Sequence, residues 1–382
     1  MTAGDKGYDV IVIGGGTMGT AAAWELGKRG VRSLVLEQFN HIHPFGAHGG
    51  RTRVIRHAYA EGPEYVPLVQ RADRLWLQLE EESGERILMR TGGLELAAPG
   101  FGHARSARAS ADRHGLPYEW LTPDEGRRRW PMVSIPDDWD VMFSPQAGYL
   151  YTDAALRTMA ASARNRGVDI HEQEPVLGWE SSDTGVAVTT TRGTYRADRL
   201  IITAGAWSSE VLADLGLPLH ILRKSLWWFD VEDPALFAPD RFPVFVADSD
   251  IGEIYGFPID DYPGLKVADH SGGDRTTPHS VERTVRVDEA ANVASMVKRL
   301  FPTATDRIRE QAVCLYTMTP DGDFIMDRHP TVPGVVFGAG FSGHGFKFTT
   351  AVGEHLVALA LDPAHEPIPR LALNRFQPVA RS

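Results

Sequence analysis

The sequence predicts an α/β fold: a β-turn-α-β unit at the N-terminus and a later group of antiparallel strands that builds a second layer. Three observations predict it. First, Tyr8-Asp9-Val10-Ile11-Val12-Ile13 is a short, β-branched, apolar run, which is the pattern of a strand buried on both faces. Second, this run leads into Gly14-Gly15-Gly16-Thr17-Met18-Gly19, a GxGxxG, then an alanine-rich helical run over 20–29, and then a second strand over 31–36 closed by Glu37. Third, beyond residue 216 the stretches 225–231, 243–247, 252–258 and 264–270 read as antiparallel strands.

The first two observations define a Rossmann-like nucleotide-binding unit. Gly14 permits the tight turn, Gly16 lets the backbone approach a pyrophosphate, and Gly19 lets the helix pack on the strand. Thr17 and Met18 share that turn, where free N–H groups and the helix dipole favour phosphate. Glu37 stands about 20 residues past the glycines, where a ribose-binding carboxylate belongs. A glycine-rich turn without a ligand is the bland alternative, and the complete β-turn-α-β context argues against it. An ADP-containing dinucleotide is implied; the motif leaves FAD and NAD open.

The chain's 382 residues allow two or three domains and a large core. Its 43% apolar and 23% charged content is ordinary for a globular protein. A net charge of −11 disfavours nucleic acid and anionic membrane as partners. No apolar run approaches the roughly 20 residues of a membrane span. The polar N-terminus lacks a secretory core, and Ala380-Arg381-Ser382 is not a peroxisomal address, so a cytoplasmic location is expected. Cys314 is the one cysteine, which excludes an intrachain disulfide; a small buried hydrophobe is its ordinary reading.

In chain order, a His-, Pro- and Gly-rich loop spans 38–50. Arg51-Thr52-Arg53-Val54-Ile55-Arg56-His57 follows; read as one helical turn it sets Arg53 and Arg56 on a shared face, against the alternative of a solvated basic face. Helical periodicity runs over 65–84, strands over 87–98, and a helix over 101–116. Thr122 and Pro123 open another helix as cap and first residue. A strand and turn over 141–151, a helix over 153–167, short strands at 168–170 and 175–177, and a hairpin over 185–195 come next. Residues 198–207 repeat the buried-strand-to-glycine theme, with Ala204 and Gly205 in the turn, a feature of two-domain flavoproteins. A helix at 288–301, strands at 313–319 and 335–340, and a helix at 350–361 complete the pattern. Residues 362–382 form a Pro-rich tail expected over the surface.

Period-2 alternation puts Lys266 and His270 on one strand face, and Cys314 and Tyr316 on another. In Gly338-Ala339-Gly340-Phe341-Ser342-Gly343-His344-Gly345-Phe346-Lys347-Phe348, glycines serve close backbone approach. Lys347 stands between two phenylalanines, where an ammonium requires a partner. A flavin edge or a substrate carboxylate supplies one.

The strings Thr52-Arg53-Val54-Ile55-Arg56-His57-Ala58-Tyr59, Glu64-Tyr65-Val66-Pro67-Leu68, Tyr255-Gly256-Phe257-Pro258, Val313-Cys314-Leu315-Tyr316-Thr317 and the 340–348 segment resemble the monomeric sarcosine oxidase and N-methyltryptophan oxidase family of flavoprotein amine oxidases. The resemblance runs from Tyr8 to about Leu361. It implies a Rossmann-like FAD-binding domain (1–85, 145–215 and 313–382) interleaved with an antiparallel β-sheet substrate domain (86–144 and 216–312). It implies a monomer that oxidises a small secondary-amine amino acid with O2, sarcosine first, giving glycine, formaldehyde and H2O2. It implies FAD held covalently as an 8α-S-cysteinyl thioether at Cys314. Arg56 and Lys347 match the pair that binds the substrate carboxylate, and Lys266 the lysine that activates O2. Arg53 matches an arginine on the flavin face; His270, Tyr255 and Tyr316 match residues around the substrate. His48, Thr52, Val176, Gly343 and Gly345 fall among the implied cofactor contacts, and no metal is implied. Three departures bear on substrate range: Gly49 in place of a histidine after His48, Arg51 in place of an aspartate, and Met318 in place of a lysine. Oxidation of N-methyltryptophan, pipecolate or another cyclic imino acid, an FAD amine dehydrogenase, and a non-catalytic flavin-binding protein are the competing expectations.

Overall fold

The computed structural model describes residues 7–376. Tyr8–Ile13 is the central strand of an eight-stranded sheet, flanked in parallel by Ser33–Leu36 and Thr194–Ile202. Val10, Ile11 and Val12 are fully buried, as a strand covered on both faces requires. Asp169–His171 extends one side in parallel, and Val335–Ala339 pairs in parallel with Thr194–Ile202. The helices Thr17–Lys28, Val66–Ser83, Thr152–Asn165 and Thr349–Leu361 supply one apolar core. The glycine turn after Ile13 and the turn after Ile202 therefore open at the same carboxyl end of the sheet, where α/β folds bind ligands.

Thr17–Lys28 and Thr349–Leu361 approach so closely that a Cβ at Gly353 would meet the Ala21 carbonyl carbon at 2.5 Å. Gly353→Ala is expected to force the two helices apart and destabilise the protein by about 1–3 kcal/mol, the usual cost of overpacking. Thermal melting checks this, and an unchanged melting temperature would contradict the contact.

The second layer is a nine-stranded sheet built on the long antiparallel pair His220–Val231 and Ala304–Met318. One of its faces buries Trp227, Phe229, Phe245 and Val267 in a separate core. The opposite face carries Tyr255 and Lys266, and Lys266 reaches from it to Gly50 and Thr52. This layer is mixed rather than wholly antiparallel, because Gly93–Ala97 pairs in parallel with Val244–Ser249.

Two readings change. Thr52–Ile55 is a strand paired antiparallel with Gly148–Tyr151, not a helical turn. Its partner lies almost a hundred residues away, so local spacing cannot reveal it. Arg56 leaves the strand, and it is only 6% exposed, so no solvated basic face forms. The C-terminal tail is also not merely superficial: Leu371 and Ala372 are buried, and Leu371 joins the main core. The rest of the tail, 377–382, lies outside the described residues. Among the described residues, no helix is long and apolar enough to cross a membrane.

Candidate active site

A cavity of about 860 Å3 opens at the carboxyl end of the parallel sheet. Gly14, Gly16, Thr17 and Met18 line one end, with Glu37, Val176, Ala204 and Gly205 beside them. His48, Arg53, Tyr316, Gly343 and Gly345 line the other. The helix Thr17–Lys28 has no side-chain cap and no acidic residue in its first turn, so its N–H groups are available to an anion. A Cβ at Gly16 would meet nothing within 4 Å, leaving its backbone bare to the cavity. These features fit a dinucleotide pyrophosphate.

Glu37 is buried, and its Oε1 accepts a 2.9 Å hydrogen bond from the Phe39 N–H. Burial pushes its carboxyl up to about 7, against the pull of the Phe39, Gly15 and Gln38 N–H groups. Hydroxyl donors of a ribose would stabilise the ionised form. His48 is pushed down to about 3 by burial and by His43, and so is neutral.

Four residues expected at the cofactor lie outside this lining. Gly19 serves packing: a Cβ there would stand 1.9 Å from the Gly14 carbonyl oxygen. Thr52 accepts from Lys266. Lys347 lines a second cavity. Cys314 is buried just behind the wall; Arg53 Nη2 lies 3.6 Å from its Sγ, and the thiol donates to the Gly49 carbonyl at 3.5 Å.

The second cavity, about 60 Å3, borders the first: Arg53, Gly343 and Phe346 line both. It gathers Arg56, Lys347, Tyr255 and His270. Arg56 Nη2 donates to both oxygens of Glu61 at 2.9 Å. Lys347 Nζ donates to the His344 carbonyl at 2.9 Å and to the Tyr59 hydroxyl at 3.3 Å. Burial pushes Lys347 down to about 7 although Glu61 opposes it, so an arriving anion would favour its ammonium. The Tyr255 and Tyr316 hydroxyls are 3.2 Å apart, and the His270 ring lies about 6 Å from each tyrosine ring. Burial raises both phenols, which remain neutral donors at neutral pH.

Lys266 lines neither cavity. Its buried Nζ donates to the Gly50 carbonyl at 2.5 Å and to the Thr52 carbonyl and hydroxyl at 2.9 Å. Burial and then Arg53 hold it well below the ordinary lysine range. Among the described residues, no group of three or more His, Cys, Asp or Glu is placed to hold a metal ion.

Residues 9–359 match the family model described as FAD dependent oxidoreductase. The chain belongs to the FAD-dependent oxidoreductase family. It is 37% identical over 359 residues to a monomeric sarcosine oxidase of Bacillus sp. (strain B-0618), covering 93% of this chain and 92% of that one. It is 35% identical over 374 residues to an N-methyl-L-tryptophan oxidase of Yersinia pestis (strain Pestoides F), covering 97% and 100%. Among solved structures, NikD, described as an unusual amino acid oxidase essential for nikkomycin biosynthesis, superposes with a TM-score of 0.84 at 24% identity over 96% and 97% of the two chains; that likeness concerns the fold.

This FAD-dependent oxidoreductase also carries pocket residues that the sequence reading passed over. Glu61, Glu253 and His344 line the small cavity. Glu253 precedes Tyr255 by two on one strand, so period-2 alternation places both on one face. His344 belongs to the glycine-rich 338–348 segment, whose pattern singles out Lys347 and gives His344 no role. Glu61 has no periodic signal, because it follows the strand in an irregular turn before Gly62.

Proposed function

We propose that this enzyme oxidises N-methyl amino acids, with sarcosine as the substrate, to glycine, formaldehyde and H2O2. The supporting observation is a dinucleotide-sized cavity that shares a wall with a small one in which two basic side chains, Arg56 and Lys347, stand together. The relatives' names point the same way. Bound FAD would supply the acceptor for a hydride equivalent from the C–H beside the amine and the route for its electrons to O2. Arg56 and Lys347 hold the carboxylate, which fixes the distance of the reacting carbon from the cavity wall shared with Arg53. Tyr255, Tyr316 and His270 border the amine in uncharged forms, so none of them competes for its proton. Lys266 supplies a positive charge where O2 gains electrons. Gly14, Gly16, Thr17, Met18, Glu37, Val176, Ala204 and Gly205 hold the dinucleotide, with Gly19 setting the turn. His48, Thr52, Arg53, Gly343 and Gly345 border its reactive end.

The proposal extends to a cofactor bound through a thioether at Cys314, and to a cytoplasmic monomer divided into the two interleaved domains expected above. Sarcosine should bleach the bound flavin without oxygen and yield peroxide with it; no bleaching by sarcosine would overturn the reading. Protein precipitated with acid should stay yellow, and Cys314→Ser should release the colour to the supernatant. Free flavin from the unaltered protein would end the covalent assignment.

A further inference from the structure

The small cavity holds two carboxylates: Glu61 is paired with Arg56, while Glu253 has no task in the proposed reaction. Glu253 lines the cavity, two residues from Tyr255 on the same strand. Its side chain is 28% exposed, and Oε1 lies 3.4 Å from His103 Nδ1. Among the described residues, no other side chain or backbone N–H donates to that carboxylate. His103 is wedged on its far side against Glu95, with Nε2 3.1 Å from Glu95 Oε2. Glu95 is 2% exposed, and neither of its oxygens has a hydrogen bond.

Burial would drive His103 neutral, but Glu253 and Glu95 outweigh it and hold the imidazole up to about 9. His103 thus stands between two carboxylates, and among the described residues it is the one side chain that meets the Glu253 carboxylate. Arg56, which shares the cavity, gives Nη2 to Glu61 and makes no hydrogen bond to Glu253. Of His103 and the two carboxylates, Glu253 is the member that lines the cavity, so the side of its carboxylate away from His103 opens there.

We propose that Glu253 is a specificity residue, and that the cavity takes a secondary amino acid whose side chain ends in a second cationic group, an ammonium or guanidinium, docked on the open side of Glu253. An apolar arm there would strip water from the carboxylate without replacing its hydrogen bonds. A cationic arm replaces them with a charge-assisted one. Sarcosine has no arm and leaves Glu253 to water, so its turnover is compatible with this preference. The inference rests on Arg56 and Lys347 holding the substrate carboxylate.

Calorimetric titration of the holoenzyme with 5-aminopentanoate and with pentanoate separates the claims. The two ligands share a carboxylate and differ by one ammonium. The aminopentanoate should bind at least tenfold more tightly to the unaltered protein, and Glu253→Gln should bring the ratio near one. Because the ratio is taken within each protein, a partly misfolded variant does not distort it. Equal binding, tighter pentanoate binding, or a preference that survives Glu253→Gln would overturn the assignment. Pentanoate binding and its loss in Arg56→Ala test the carboxylate anchor separately.

Discussion

Arg56→Ala is expected to weaken carboxylate ligands by a hundredfold or more, whatever else happens to turnover. The guanidinium is buried, and Glu61 takes both its hydrogen bonds from Nη2. Nη1 reaches only the Ala58 carbonyl, at 3.4 Å. With five N–H donors in a fixed fork, Arg56 can therefore hold Glu61 and still present Nη1 to a second anion. Truncation removes that face and leaves Glu61 without its partner. Breaking such a pair costs roughly 2–3 kcal/mol of stability once the partial exposure of Glu61 is allowed for. The loss should depend on pH. Burial alone would raise the Glu61 carboxyl, but Arg56, with smaller help from His344 and Lys347, holds it well below the usual range. A depressed carboxyl stabilises the fold above its unfolded value, near 4.3, and that contribution fades as pH falls. In the variant the burial effect is no longer opposed by Arg56, so the stability gap should be widest near neutrality and shrink below about pH 4. Melting temperature across pH measures the gap, and ligand titration measures the affinity. Unchanged affinity would place the substrate carboxylate elsewhere.

The nucleotide half of this site was legible in the sequence because its signals are local. The apolar run to Ile13, the glycines, the helix and Glu37 all fall within thirty residues, and each constrains its neighbour. Lys266 and His270 were legible as a face because strand period is a local property. The arginine segment was not, since Thr52–Ile55 owes its strand form to pairing with Gly148–Tyr151. Leu371 reads as part of a Pro-rich surface tail until the chain returns it to the core. Glu95 carried a signal that went unread: a charge inside Leu94-Glu95-Leu96-Ala97, an otherwise apolar strand. A carboxylate in such a run needs a partner, and His103 supplies it from a helix that follows the strand.

Lys266→Met is expected to slow reoxidation by O2 a hundredfold or more and to change flavin reduction by substrate less than tenfold. The three donors of an ammonium meet three acceptors, the Gly50 carbonyl and the Thr52 carbonyl and hydroxyl. That match fixes the position of the charge, while burial and Arg53 lower the pH at which it is lost. Charge placed in a poorly solvated wall acts over a longer distance than in water, so Lys266 need not line the cavity to favour electron transfer to O2. Reduction by substrate draws instead on Arg56 and Lys347, whose contacts Lys266 does not share. The sign of the pH effect follows from the charge: reoxidation by the unaltered protein should fall as pH rises through the depressed lysine value, and the methionine variant should lack that step. Methionine also takes one donor from each of two carbonyls, which keep only the Thr52 N–H (on Gly50) and Arg53 Nη1 (on Thr52), in a loop where Gly50 and Arg51 have φ of 89° and 72°. Lys266→Gln, which keeps an N–H but no charge, separates loop support from charge. Stopped-flow measurement of the two half-reactions decides the matter. Equal slowing of both, or full oxygen reactivity in the glutamine variant, would remove the lysine from the oxygen reaction.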